Sequence, residues 1–312
     1  MSNLQSQISN LQSQLESVYP EDEARSLAWW IVEEETGLSR AQLLTGCKGT
    51  TNFPKLQDFC DKNDLCLHKN LFIAQKDCSS QEIIDRLLHF EPIQYIFGHT
   101  LWNGLDLLVT PATLIPRPET AELVERIVGN QEFRDDGIPR KILDVGTGSG
   151  CIAIALKKAH PEWQVTGIDI SPEAIKVARE NARRNNVEVN FEVADIFSFN
   201  FHLSPFNLIV SNPPYIRECE KVSMRPNVLN FEPATALFVP DNDPLKFYRK
   251  IAQLFARTPY TIHHTPKYLF FEINEAYPAE LSAMLDQLGY TDIKVTNDIY
   301  GKPRIIEARM VG

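Results

Sequence analysis

The chain has 312 residues, 43% of them hydrophobic and 23% charged, with a formal net charge of -10. These proportions fit a globular protein of one large or two ordinary domains with ample length for a core. The acidic balance argues against a broad duplex-DNA surface, which needs clustered Lys and Arg, and no apolar run is long enough to cross a bilayer.

The six cysteines, Cys47, Cys60, Cys66, Cys78, Cys151 and Cys219, include no Cys-x-x-Cys pair. Neither a zinc ribbon nor a thioredoxin-like site is signalled. No signal peptide is evident, so the expected compartment is a reducing cytoplasm with free thiols.

The first ninety residues read as helical. Leu4, Ile8, Leu11, Leu15 and Val18 alternate spacings of four and three, which puts them on one helix face. A second helix is expected over Glu21 to Thr36, with Ala24, Leu27, Trp30 and Ile31 on its buried side and Gly37 ending it. A short third helix is expected near Arg40 to Leu44, and Ser79 with Glu82 reads as a capping box for a fourth. No catalytic constellation appears here. The region reads as a small helical domain with its own core, and such an appendage on an enzyme often recognises a partner.

Pro92 marks a boundary. Asn103-Gly104 between apolar stretches is a strong hairpin signal, and residues 93–110 are read as a β-hairpin joining two domains. Beyond it, Ile115-Pro116-Arg117-Pro118-Glu119-Thr120 leads into a helix through Leu123, Val124 and Ile127. The prolines on either side of Arg117 fix its backbone.

From Arg140 the pattern becomes alternating strand and helix, the signature of an α/β sheet. The strand Lys141 to Val145 runs into Gly146-Thr147-Gly148-Ser149-Gly150 and then a helix from Cys151. Such glycines allow a tight turn and close approach of a ligand to the backbone, and the helix start offers free N–H groups. A second strand, Gln164 to Ile168, ends in Asp169, about twenty residues beyond the glycine loop, where such folds bind ribose hydroxyls. Ser171-Pro172-Glu173 opens the next helix. A third strand, Val187 to Val193, ends in Ala194-Asp195-Ile196, beside the expected purine pocket.

The fourth strand, Phe206 to Val210, delivers Ser211-Asn212-Pro213-Pro214-Tyr215-Ile216. Neither proline can donate a ladder hydrogen bond, so the strand must stop. Nearby carbonyls, including that of Pro213, are then available as acceptors. Asn212 adds a side-chain acceptor and a donor, and Tyr215 adds a flat face. The stretch is either a proline-rich turn or a receptor for a planar group bearing an NH2. Residues 216–241 lack a period and read as a long loop of the kind that forms lids. A helix over Asp243 to Phe255, a strand over Tyr268 to Ile273, a helix over Ala279 to Leu288 and strands over Asp292 to Thr296 and Pro303 to Ala308 complete the pattern. His263-His264 has no third ligand at matching spacing, and no metal is expected.

A glycine loop alone is shared with dehydrogenases. Asp144, Asp169, Asp195 and Asn212-Pro213-Pro214-Tyr215, each closing a successive strand, together resemble the class I S-adenosylmethionine-dependent methyltransferases. Glu91-Pro-Ile-Gln-Tyr95-Ile-x-Gly98, the hairpin, Ile115 to Thr120, Ile142 to Gly150, Asn212 to Ile216 and Phe231-Glu-Pro-Ala-Thr-Ala-Leu237 are similar to the PrmC/HemK family. The resemblance covers residues 90–310 closely and the amino-terminal helices in layout only.

That resemblance implies an α/β fold: a seven-stranded Rossmann-like methyltransferase sheet with a small N-terminal helical domain. Residues 1–90 would be a substrate-recognition domain, 91–115 a β-hairpin linker and 116–312 the methyltransferase domain. The implied reaction moves a methyl group from S-adenosyl-L-methionine, leaving S-adenosyl-L-homocysteine, to N5 of the glutamine in the Gly-Gly-Gln motif of peptide chain release factors. Gly146, Thr147, Gly148, Ser149, Gly150, Asp169, Asp195, Ile196 and Asn212 would bind the cofactor. Asn212, Pro213, Pro214 and Tyr215 would bind the substrate, with Asn212, Pro213 and Tyr215 catalytic. Other readings remain: the same chemistry on a ribosomal-protein glutamine or on adenine N6, or a non-catalytic binding protein. The chain departs from the family pattern at Ala121, where the family usually has an acid, at Asn274, where it usually has Gly, and in the long segment Thr258 to Lys267.

Overall fold

The computed structural model describes residues 2–45, 79–133, 140–198, 206–257 and 266–310. The chain folds as two compact units, Met1–Gly98 and His99–Gly312. The first holds α1 (Ser2–Leu15), α2 (Glu21–Thr36), α3 (Arg40–Thr45), α4 (Ser80–Leu88) and α5 (Ile93–Phe97). Its core gathers Ile8, Leu11 and Leu15 from α1 with Ile31, Val32, Ile84 and Leu87, so the four-and-three spacing of α1 marks its buried face.

On α2 the buried stripe is Ala24, Ala28, Trp29, Ile31 and Val32, while Leu27 and Trp30 are only partly buried. The helix is therefore turned from the face expected, with the small Ala28 inward and Trp30 toward the margin. Gly37 ends it in the left-handed region at φ 65. The Ser79–Glu82 capping box opens α4.

One boundary needs correction. Ile93–Phe97 is helical, not the first strand of a hairpin. Pro92 stands at its N-cap, and Gly98 at φ 74 closes it. Ile93 and Ile96, three apart, reach the helical core. The hairpin begins only at His99 and lies wholly in the second unit.

That hairpin pairs β1 (His99–Trp102) with β2 (Leu105–Leu108). Its turn residues Asn103 and Gly104 both have positive φ, 46 and 72, the type I′ geometry that Asn-Gly favours. Trp102, Leu105 and Leu107 are buried in the core of this unit, so the hairpin is part of the domain rather than a free connector.

Next come α6 (Pro118–Val128), β3 (Lys141–Val145), α7 (Cys151–Ala159), β4 (Gln164–Asp169), α8 (Pro172–Arg184), β5 (Asn190–Val193) and β6 (Leu208–Ser211). The stretch read as a loop contains β7 (Ile216–Arg217), α9 (Pro226–Leu229), α10 (Ala234–Leu237) and β8 (Phe238–Val239), with β7 and β8 paired in parallel. Then follow α11 (Lys246–Arg257), β9 (Lys267–Glu272), α12 (Pro278–Gln287), β10 (Thr291–Asn297) and β11 (Pro303–Met310).

The seven-stranded sheet has the order β10-β11-β9-β6-β3-β4-β5. β3, β4, β5, β6 and β9 pair in parallel, and β11 runs antiparallel to both β9 and β10. Side chains alternate between the two faces. Ile142, Leu208, Val210 and Phe270 pack into one layer with residues of α6, α7 and α8. Leu143, Val145, Ile209 and Phe271 pack into the other with Tyr248, Ile251, Leu281 and Leu285. Covering both faces is what a parallel sheet requires. No helix among the described residues is long and apolar enough to cross a membrane.

Gly167 in β4 marks a tight approach. A Cβ there would lie 2.6 Å from the Phe191 ring and 2.8 Å from Thr147 Oγ1. Gly167→Ala should destabilise the protein by about 1–3 kcal/mol, the usual cost of overpacking. Urea unfolding checks this, and an unchanged midpoint contradicts it.

Candidate active site

The parallel strands deliver their ends to one edge, and the site is built from the loops that leave it. After β3 the chain turns through Gly146, Gly148 and Gly150, all with positive φ. Gly146 and Thr147 donate their N–H groups to Ile168 O at 2.9 Å. Asp169 closes β4 and accepts from Gly148 N and Ser171 N, each at 2.9 Å. Burial raises its carboxyl above the ordinary range, against those N–H donors. Asp144 is fully buried and accepts from Thr147 Oγ1 at 2.6 Å. Burial pushes its pKa up from 3.8 to about 7.

The hairpin buttresses this loop. The buried Asn181 carboxamide donates to both Leu108 O and Ser149 O at 2.9 Å and accepts from Leu108 N at 2.7 Å. After β5, Asp195 accepts from Phe197 N at 2.9 Å and Ser198 Oγ at 3.0 Å. The Phe197 ring meets Phe247 edge-on at 5.3 Å. These loops enclose a cleft of about 420 Å³, which offers carboxylates at Asp169 and Asp195, an apolar wall at Ile196, Phe197 and Phe247, and backbone polar groups along the glycine turn. Acceptors for hydroxyls at Asp169 and Asp195 and a flat apolar slot suit a nucleoside, and Arg117 and Lys246 also line the cleft.

The Asn-Pro-Pro-Tyr loop leaves β6, the strand paired with β3, and lines the same cleft. Ser211 Oγ donates to Val145 O at 2.6 Å, tying this loop to the start of the glycine turn. Asn212 Nδ2 donates to Thr120 Oγ1 at 3.2 Å, and Thr120 Oγ1 donates to Glu272 Oε2 at 2.6 Å. Tyr215 OH donates to Glu272 Oε1 at 3.1 Å. Glu272 is buried, and burial raises its pKa. Burial, then the negative field of Glu272, pushes the Tyr215 phenol well up, so it stays a donor.

A second cavity of about 230 Å³ adjoins the first and is lined by Asn212, Pro213, Tyr215 and Glu272 with Val228 and Leu237 of the 216–241 segment. The segment is clasped in place. Glu232, with its side chain 1% exposed, pairs with the Arg117 guanidinium and accepts from Ile115 N. Arg117 O in turn accepts from Trp102 Nε1 at 2.7 Å.

Of the residues singled out by sequence, Gly146, Thr147, Gly148, Ser149, Asp169, Asp195, Ile196, Asn212, Pro213 and Pro214 all line the larger cleft. Gly150 does not. It caps α7 at φ 81 and packs against Phe191, Ala178 and Ile154. Tyr215 lines only the smaller cavity. Sequence reasoning missed Thr120, Glu272, Phe197 and Phe247 and did not pair Arg117 with Glu232. The only advance signal was that Thr120, Arg117 and Glu232 fall in stretches similar to the PrmC/HemK family. His263, His264, Cys47, Cys60, Cys66 and Cys78 lie outside the described residues, as does most of the Thr258 to Lys267 segment.

A mostly parallel seven-stranded sheet with a glycine turn, a carboxylate and an Asn-Pro-Pro-Tyr loop at one edge defines a Rossmann-like methyltransferase. A family model described as a methyltransferase domain matches residues 139–285. The release factor glutamine methyltransferase of Bacteroides thetaiotaomicron is 39% identical over 300 residues, 96% of this chain and 97% of its own length. That of Flavobacterium psychrophilum is 42% identical over 228 residues, 73% of this chain and 78% of its own. The chain belongs to the release factor glutamine methyltransferase family. A solved release-factor-specific protein-(glutamine-N5) methyltransferase from Alicyclobacillus acidocaldarius is 28% identical, covering 65% of this chain and 98% of that one at a TM-score of 0.38.

Asp144 gives the ligand-free protein a pH signature. Its folded pKa, about 7, lies above the ordinary 3.8. Well below pH 3.8 the group is protonated in both states and costs nothing. As pH rises toward 7 the unfolded state ionises freely while the folded state resists, so stability falls. Asp144→Asn cannot titrate. Its stability relative to the parent should improve from pH 5 to pH 8, and thermal melts showing a constant difference contradict the assignment.

Proposed function

We propose that this chain methylates N5 of the glutamine in the Gly-Gly-Gln motif of peptide chain release factors, using S-adenosyl-L-methionine. One observation carries the reading: Asn212 and Pro213 line both the larger cleft and the smaller cavity. A side-chain amide entering the smaller cavity would meet these two residues at its boundary with the cofactor.

When bound, S-adenosyl-L-methionine supplies an electrophilic sulfonium methyl group. Asp169 would accept from its ribose hydroxyls, and Ile196 with Phe197 and Phe247 would flank its base. Asn212 Nδ2 is committed to Thr120, which leaves Oδ1 as the acceptor for the substrate NH2. The Pro213 carbonyl would take the second hydrogen. An amide nitrogen is a poor nucleophile because its lone pair is shared with the carbonyl. Two acceptors held in place orient it and stabilise the positive charge that grows on it. Tyr215 would pack on the amide plane while Glu272 fixes its hydroxyl. The methylated nitrogen is strongly acidic and sheds its proton to water, so no general base is required.

Asp169→Ala should weaken S-adenosyl-L-methionine binding by about 1–3 kcal/mol, as expected for a lost charged acceptor. Unchanged affinity by calorimetry would remove Asp169 from the cofactor site. Asn212→Ala should lower kcat on a release factor on the order of 10²-fold or more, with KM little changed because most of the protein contact lies outside the amide pocket. Single-turnover transfer with the product located by peptide mass decides this. A methyl group on another residue, or on adenine, would replace the release-factor reading.

A further inference from the structure

We infer that Glu272 and Thr120 set the polarity of the catalytic loop: they dictate which end of the Asn212 carboxamide faces the substrate. The inference rests on the proposed role of Asn212 as amide receptor and adds the groups that make it one. A carboxamide is nearly symmetric in shape, so packing alone does not distinguish its oxygen from its NH2. Reversed, Asn212 would present a donor to a substrate NH2, and two donors repel. Something must fix the orientation.

The hydrogen-bond chain does so by counting protons. Thr120 has one hydroxyl proton, and it goes to Glu272 Oε2 at 2.6 Å. In its ionised form Glu272 has no proton to return; the hydroxyls of Thr120 and Tyr215 and the charge of Arg304 favour that form against burial. Thr120 Oγ1 can therefore only accept from its other neighbour, Asn212, at 3.2 Å. That neighbour must be Nδ2, because turning the carboxamide over would set Oδ1 against an oxygen with no proton left. The second carboxylate oxygen is occupied in the same sense, by the Tyr215 hydroxyl. One buried carboxylate thus holds both flanks of the loop, Asn212 through Thr120 and Tyr215 directly.

The carboxylate is itself firmly seated. Glu272 is 1% exposed at the end of β9, where the neighbouring β6 carries the loop. Its backbone carbonyl accepts from Tyr248 OH at 3.0 Å. Thr120 is 2% exposed in the first turn of α6. Water has little access to substitute for either group, and a buried network of this kind is stiff because each member has its partner. Glu272 and Thr120 are positioning residues; Thr120 borders the cleft, but neither is assigned a contact with the reacting nitrogen.

Thr120→Val keeps the side-chain shape and removes the hydroxyl. Glu272→Gln keeps the size and loses the obligatory double acceptor, since one end of Gln donates. Each should lower kcat by about 10- to 100-fold, by analogy with the loss of a group that orients a metal ligand. KM for the release factor and affinity for S-adenosyl-L-methionine should stay within about twofold of the parent. Thr120→Ser restores the hydroxyl and should recover most of the rate, which a packing role for the lost methyl would not allow.

The carboxamide can also be read directly. With 15N-asparagine labelling, the Asn212 side-chain NH2 signal is assigned by its loss in Asn212→Ala. It should shift in Thr120→Val and Glu272→Gln and stay near the parent in Thr120→Ser. An unmoved signal, or full kcat in both altered proteins, overturns the inference. If Thr120→Val fails to fold, Glu272→Gln decides by the same two readings. Should the parent transfer no methyl group to a release factor, the proposed function falls, and the NH2 signal still decides the polarity argument.

Discussion

The site depends on one register. In the parallel pair of β3 and β6, Val145 stands opposite Ser211. The next residue on β3 is Gly146 and the next on β6 is Asn212, so the glycine turn and the Asn-Pro-Pro-Tyr loop leave the sheet side by side. The Ser211 hydroxyl on Val145 O, 2.6 Å away, secures that end of the pair. Because side chains alternate along a strand, a slip of one residue would exchange the two faces of β6 and carry Asn212 away from Thr120. Both faces are buried, with Val210 in one layer and Ile209 in the other, so such a slip is strongly opposed. The loops are placed by the core beneath them.

Around that edge the protein concentrates carboxylates where solvent is scarce. Asp144, Asp169 and Glu272 are all raised in pKa by burial. Asp169 is compensated by N–H groups, Asp144 by the Thr147 hydroxyl and the Ala153 backbone, and Glu272 by the hydroxyls of Thr120 and Tyr215 with the charge of Arg304. The two kinds of partner have different consequences. Backbone N–H groups fix Asp169 relative to the loop, which makes it a rigid acceptor. A hydroxyl both donates and accepts, so Thr120 passes the orientation on to Asn212. Hydroxyl partners let a buried charge impose direction on a neighbour; amide partners only hold it still.

What was legible in the sequence follows from range. The glycine turn, the strand end at Asp169, the Ser171 cap and the Asn103-Gly104 turn are each decided within a few residues, and their local conformations are the expected ones. The run Ile93 to Phe97 misled because a short apolar stretch is ambiguous between strand and helix, and only its packing on the helical core resolves it. The face of α2 was misjudged because Trp29 and Trp30 are equally apolar and neighbours decide which is buried. The β7–β8 pairing joins two-residue strands about twenty positions apart, too short to carry a period. Glu272 was invisible as a site residue for a different reason. It ends an apolar strand, and its partners Thr120 and Tyr215 lie 152 and 57 residues away.

The departures from the family pattern can be weighed by the same physics. Ala121, within α6, is partly buried against the core, a place where an acid would need a partner and a small apolar residue needs none. Asn274 bears on the site itself. Its Nδ2 donates to Tyr215 O at 3.1 Å, and its Oδ1 accepts from Ala276 N at 2.9 Å. A glycine at this position could make neither contact. Tyr215 is thus held by its hydroxyl through Glu272 and by its carbonyl through Asn274. Both groups come from one short stretch at the end of β9, so the strand that fixes the ring also fixes its backbone. The unusual residue adds a restraint to the loop proposed to receive the substrate amide, and it does so without entering either cavity.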